Sequence, residues 1–192
     1  MTPTKEQTEP GTNRRRDLDA LAPEDLVALL VERSFDLKTP PVSWAASEAL
    51  ATRGKAAIAA LLTGLEHADA KVRAACALLL DHVADDRCIG PLLQAMRLDP
   101  HEAVRRCAMH ALVCDGCKEC PLNTDVVGAL IESARSDRSR AVRRRAVFYL
   151  SQQRPDARTG PALEALLADE ADPILRRRAQ RALAGLAAGG GE

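Results

Sequence analysis

The nine residues VRRCAMHAL (104–112) recur without gaps as VRAACALLL (72–80), VRRRAVFYL (142–150) and LRRRAQRAL (175–183), and in degenerate form as VSWAASEAL (42–50). Each copy opens on a branched or long apolar residue and closes on Leu eight positions later. The fifth residue is always small: Ala46, Cys76, Ala108, Ala146 and Ala179. The first, fifth, eighth and ninth positions fall on one face of a 3.6-residue helix, so every copy predicts an amphipathic helix. A second apolar stretch follows each copy but the last: AAIAALLTGL (56–65), IGPLLQAM (89–96), VVGALIESA (126–134) and PALEALLA (161–168). Each unit therefore reads as two antiparallel helices with a short connection. Asp69, Asp99, Asp137 and Asp172 precede the copies at or near N-cap positions. The arginine one step into each motif (Arg73, Arg105, Arg143, Arg176) is placed to pair with the aspartates of neighbouring units. As exposed pairs these would contribute about 0–1 kcal/mol each.

This D-x-x-V-R-x-x-A-x-x-A-L register resembles the HEAT-like repeats of the phycobilisome-lyase type, over roughly residues 42–186. The resemblance implies an all-α, right-handed solenoid of four to five helix pairs. Residues 21–33, LAPEDLVALLVER, read as an N-terminal capping helix with Pro23 near its first turn. The expected division is a disordered tail over 1–20, the solenoid over 21–186, and a flexible tail over 187–192. Such a fold carries no activity by itself, because function lives in sites grafted onto it.

Bulk composition removes several classes. The chain's 27 basic and 27 acidic side chains cancel, so no global field demands nucleic acid or membrane. Aromatics are 2%, too few for base-stacking platforms. No apolar run approaches the roughly 20 residues of a membrane span, and the N-terminal segment has no apolar core of a secretory signal. The expected compartment is the cytoplasm, where cysteines serve as thiols or metal ligands rather than structural disulfides. A monomer is expected.

The repeat spacing singles out one segment. Successive first positions are 30 residues apart from Val42 to Val72, 32 from Val72 to Val104, and 33 from Val142 to Leu175. From Val104 to Val142 the spacing is 38, and the surplus falls on CDGCKECPLNTD (114–125), inside the turn between the two helices of one unit. Cys114, Cys117 and Cys120 have the tight spacing that lets successive thiolates face one ion, and Pro121 stops a helix from continuing. Three soft ligands leave a tetrahedral site one short. His110, one turn before Cys114, is the first candidate for the fourth, followed by His82 and Cys88 in the corresponding turn of the preceding unit. Cys107 is a poor choice, and Cys76 occupies the small core position. A single structural Zn2+ or another thiophilic ion is one reading. An iron–sulfur cluster fits less well, since the bacterial run has a fourth cysteine three residues after the third, and here Pro121 directly follows Cys120. A redox-active or incidental thiol loop is the other reading. Asp115 and Glu119 read as solvated turn residues.

Arginine accumulates toward the C-terminus: residues 135–181 hold 12 Arg and no Lys against six acids. Arg106, Arg144, Arg145, Arg177, Arg178 and Arg181 are expected on the outward, convex side of the motif helices, either as a solvated face or as a patch for an acidic protein segment or a phosphate backbone. HEAT-like DNA glycosylases also use basic solenoid surfaces, but Trp44, Tyr149, Phe35 and Phe148 form no grouped pair for base recognition. Nothing identifies a bilin site. P-loop, G-x-G-x-x-G, G-x-S-x-G and H-E-x-x-H patterns are absent from the sequence. His67 and His101, near repeat boundaries, read as solvated or capping groups. The functional expectation is a non-enzymatic scaffold that holds a protein partner and carries a metal-stapled cysteine loop. A thiol-dependent redox sensor or lyase-like accessory protein is the alternative, and weak nucleic-acid binding through the arginines is the second.

Overall fold

The computed structural model describes residues 18–31, 42–118 and 120–189, all of them helix, turn or loop. The α-helices are α1 (Pro23–Leu29), α2 (Val42–Arg53), α3 (Ile58–Gly64), α4 (Ala70–Val83), α5 (Ile89–Leu98), α6 (Glu102–Val113), α7 (Val126–Ser136), α8 (Arg140–Leu150), α9 (Thr159–Asp169) and α10 (Pro173–Gly189). Short 3-10 turns lie at Gly54–Ala57, Asp86–Cys88 and Asp115–Cys117. No described helix is long and apolar enough to cross a membrane.

The even-numbered helices are the five motif copies. Their first positions Val72, Val104, Val142 and Leu175 and all five small fifth positions are fully buried. Burial at the fifth position explains why it is small: the motif helices stack side by side, α2 on α4, α4 on α6, α6 on α8 and α8 on α10. A larger side chain there would hold neighbours apart. The odd-numbered helices form the second layer. Close approach recurs where α3 meets α4, since a β-carbon on Gly64 would collide with Cys76 Sγ.

The pairing frame differs from the sequence expectation. Each odd helix packs on the motif helix that follows it (α1 on α2, α3 on α4, α5 on α6, α7 on α8, α9 on α10), while α6 touches α7 only lightly. The tight hairpin turn is thus the one that carries the aspartate. The cysteine insertion after α6 lies between hairpins rather than within one, and α1 is the first member of the first hairpin rather than a separate cap. From α4 to α10 the motif helices are also the more closely spaced layer, because α3 and α5, or α5 and α7, make no comparable contact and α7 meets α9 less closely than α8 meets α10, whereas α1 meets α3 as closely as α2 meets α4. A stack curves toward its closer-packed layer, so from α4 to α10 the motif helices line the inner side.

The aspartates and arginines of the turns form a buried ladder. Asp69 and Asp172 cap α4 and α10 by accepting the N–H groups of Lys71 and Ile174. The N-caps of α6 and α8 are His101 and Ser139, and Asp99 and Asp137 accept the backbone N–H groups of those two residues. Three of the four carboxylates take two N–H groups from an arginine one unit back: Arg73 on Asp99, Arg105 on Asp137, and Arg144 on Asp172. Arg73 and Arg105 also donate to carbonyls of their own turns, at His67 and Ala68 and at Asp99 and Pro100. His67 and His101 accept backbone N–H groups through Nδ1. The expectation of exposed pairs is overturned: the Arg105 and Asp137 side chains are 2% and 6% exposed. The register also slips at α8, where Arg143 pairs with Glu170 at 3.3 Å and Arg144 takes the aspartate. Arg176 likewise donates to carbonyls of its own turn, those of Leu167 and Glu170.

The described residues reach into both expected tails. Leu18 is buried in the core, and the guanidinium of Arg53 donates to the carbonyls of Leu18, Asp19 and Leu21. At the other end α10 runs on to Gly189, because the alanine-rich stretch after Leu183 holds no proline to stop it. Residues 1–17, 32–41 (with Phe35), 119 and 190–192 lie outside the described residues.

Two outcomes test the ladder. Arg105→Ala leaves the Asp137 carboxylate buried without its partner and is expected to cost about 3–5 kcal/mol. Arg97→Ala, removing an exposed pair to Glu132, should cost under about 1 kcal/mol, both measured by urea unfolding. The hydrogen bonds from Arg144 hold the Asp172 carboxyl at about 2, so its contribution is complete above the ordinary aspartate range near 4 and is lost as pH falls from about 4 to about 2. Asp172→Asn should therefore flatten the pH dependence of the urea midpoint across that window.

Candidate functional site

The connection after α6 begins when Cys114 leaves the helix with φ −82° and ψ 94°, and a 3-10 turn over Asp115–Cys117 folds the chain back. This reversal brings Cys117 Sγ to 3.0 Å from Cys114 Sγ. His110 lies one helical turn before Cys114, and its Nε2 is 3.1 Å from Asp81 Oδ2 at the end of α4. Ligand atoms of Asp81, His110, Cys114 and Cys117 all lie within 4.8 Å of one another. The stacking of α4 on α6 creates the site, because the carboxylate comes from one unit and the imidazole and thiols from the next.

Two further side chains complete the surroundings. Tyr149, on α8, sits with its hydroxyl 2.8 Å from His110 Nδ1, its ring stacked on the imidazole at a centroid distance of 5.9 Å. Lys118 is buried, donates from Nζ to the Cys114 carbonyl at 2.6 Å, and lies 3.5 Å from Asp81 Oδ1. Asp81 Oδ1 accepts no hydrogen bond among the described residues although it is buried. The Cys117 thiol is pushed up to about 12, first by its hydrogen bond to Cys114 and then by the Asp81 carboxylate. Burial raises the Cys76, Cys88 and Cys107 thiols as well, Cys76 to about 12. A reactive thiolate needs the opposite environment, a cation or helix N-terminus that lowers the pKa.

The other sequence candidates lie elsewhere. Cys120 is exposed and lines a groove of about 640 Å³ together with His82, Asp85 and Leu122, and its sulfur is not among the four clustered ligand atoms. Cys88 is fully buried in the Asp86–Cys88 turn that starts α5. Asp81, adjacent to His82, was not among the expected ligands. Its signal was a carboxylate four residues after the buried Ala77, on the apolar face of α4.

The arginines divide into two sets. Arg144 is occupied by Asp172, while Arg106 is half-buried on α6. Arg145, Arg177, Arg178 and Arg181 are exposed, and none forms an ion pair with a described carboxylate. The guanidinium carbon of Arg145 lies 5.8 Å from the ring centre of Phe148 and 5.7 Å from that of Tyr149. Phe148, Arg178 and Arg181 border a groove of about 720 Å³ with Gln152 and Leu186 between α8 and α10. Being on motif helices, these residues face the inner side, not the convex surface expected from sequence.

Comparison with known proteins agrees with this architecture. No curated protein matches the sequence. The phycocyanin lyase complex of CpcE and CpcF from Nostoc sp. PCC7120 is similar in structure, at TM-score 0.63 and 24% identity over 84% of this chain and 97% of that one. A designed armadillo repeat protein in complex with the peptide (KR)4 is similar at TM-score 0.52 and 20% identity, over 92% of this chain and 86% of that one. At these identities the likeness is one of fold. The family model for HEAT repeats matches residues 58–116 and 113–184, a division that runs from α3 to α6 and from α7 to α10, in the hairpin frame of the structure. The chain belongs to the HEAT-repeat family.

Proposed function

We propose that this chain is a non-enzymatic interaction scaffold whose inner face, at α8 and α10, holds an acidic segment of a protein partner. The observation that carries the reading is the contrast between its arginines. Ladder arginines are neutralised by buried carboxylates, whereas Arg178 and Arg181 border an open groove and Arg145 lies on the adjoining rings of Phe148 and Tyr149, none of the three with a carboxylate partner among the described residues. A guanidinium cluster without a carboxylate, beside the half-exposed Phe148 ring, offers charge-assisted hydrogen bonds to carboxylates and an apolar contact in one place. Further along the same layer the exposed surface carries large apolar side chains, at Leu78 and Trp44. The preferred segment would carry its acids toward α10 and apolar side chains toward α4 and α2.

The similar structures support a binding role for a stack of this kind. One is a repeat protein in complex with a second protein, and the other holds a peptide of alternating basic residues. The unpaired charge here is of the opposite sign to the one a basic peptide needs, which points to an acidic partner.

Fluorescence anisotropy with a labelled peptide rich in Glu, Asp and Leu tests the proposal. Arg145→Glu combined with Arg181→Glu is expected to weaken binding more than tenfold, and affinity should fall as salt rises. Tighter binding of a single-stranded oligonucleotide, lost in the same variant, would instead assign the surface to a phosphate backbone. Binding unchanged by the substitutions would refute a role for this face.

A further inference from the structure

We propose that Asp81, His110, Cys114 and Cys117 form a closed four-ligand site for one thiophilic divalent cation, with zinc the fitting case, that staples the α6–α7 connection to α4. This inference is independent of the acidic-segment reading.

The donor set fits such an ion in number, type and spacing. Two sulfurs, one imidazole nitrogen and one carboxylate oxygen are the ligands a structural tetrahedral zinc site takes. With metal–ligand bonds of about 2.0–2.3 Å, donors around a tetrahedral ion lie about 3.3–3.8 Å apart. The two shortest separations lie just under that range, 3.0 Å for the two sulfurs and 3.1 Å for His110 and Asp81, and all four donors lie within 4.8 Å of one another. Small side-chain rotations would bring all four to one centre.

Three features beyond the ligands point the same way. Tyr149 engages His110 Nδ1, which leaves Nε2 facing the carboxylate and the thiols; with the hydroxyl accepting from Nδ1–H, Nε2 carries the lone pair a metal needs. Asp81 Oδ1 is a buried carboxylate oxygen that accepts no hydrogen bond among the described residues, with the Lys118 ammonium 3.5 Å away as its ion-pair partner, so a direct ligand position on it is open. Lys118 supplies charge balance. A dication with two thiolates and one carboxylate carries a net charge of −1, and the buried ammonium brings the site to neutrality. On binding, Cys114 and Cys117 each release one proton to solvent, with no change in oxidation state. The staple also gives the longest repeat spacing a physical reason: the extra residues close a loop that the core does not need.

The ligand set differs from the cysteine triplet of the sequence, so the test separates them. The full chain, purified without a metal-affinity tag and kept reduced, is stripped with a chelator and titrated with Co2+, then with Zn2+. The expected result is one Co2+ per chain with tetrahedral and sulfur-to-metal charge-transfer absorption, displaced by Zn2+. Cys117→Ser should abolish the charge-transfer band of a two-thiolate site, while Cys120→Ser and Cys88→Ala should leave it intact. Tyr149→Phe should weaken binding about 10–100-fold without changing the stoichiometry. Circular dichroism reports whether each variant is folded, and His110→Gln replaces any variant that is not. A folded, reduced wild-type chain that takes up no Co2+ overturns the proposal. So does loss of the band in folded Cys120→Ser.

Discussion

The bidentate contact between an arginine on one motif helix and the turn aspartate of the next hairpin is the constraint on which the stack depends. Asp99, Asp137 and Asp172 each do two things at once: they accept a backbone N–H at a helix start and the guanidinium of the unit before. The arginine in turn satisfies carbonyls of its own turn. Helix capping and inter-unit spacing are thereby fixed by the same few atoms. Because the contact is buried, a unit displaced along the stack strands a charge, which selects one register out of several that the Ala/Leu surfaces alone would tolerate.

Registration of neighbouring units is also what assembles the candidate metal centre. Asp81 lies at the end of one motif helix and His110 on the next, so the ladder that sets α4 against α6 sets the distance between carboxylate and imidazole. Tyr149 extends the same relation to α8. From that tyrosine, Arg145 and Phe148 lead directly to the groove between α8 and α10. The thiol loop and the basic groove are therefore neighbours on one inner surface, joined by the His110–Tyr149 contact.

The slip at α8 separates structural from available charge. With Arg143 drawn to Glu170 and Arg144 to Asp172, the third arginine of the run, Arg145, is left on the aromatic rings. The following motif helix repeats the triple arginine: Arg176 donates to carbonyls of its own turn, Arg178 donates to the Arg144 carbonyl, and Arg177 and, one turn on, Arg181 are exposed without a carboxylate among the described residues.

Much of this architecture was legible in the sequence. The nine-residue period, the small fifth residue, the turn aspartates and the long spacing at 104–142 are local patterns, and helix periodicity converts them directly into a stack with one irregular loop. His110, Cys114 and Cys117 were readable for the same reason, since they share a helix end and a short turn. The hairpin frame was not readable, because the periodicity is identical for either pairing of neighbouring helices. Nor were the burial of the ladder, the slip from Arg143 to Arg144, the place of Cys120 outside the four clustered ligand atoms, or the recruitment of Asp81. Those depend on how two helices distant in sequence are rotated against each other, which only packing of the assembled core decides.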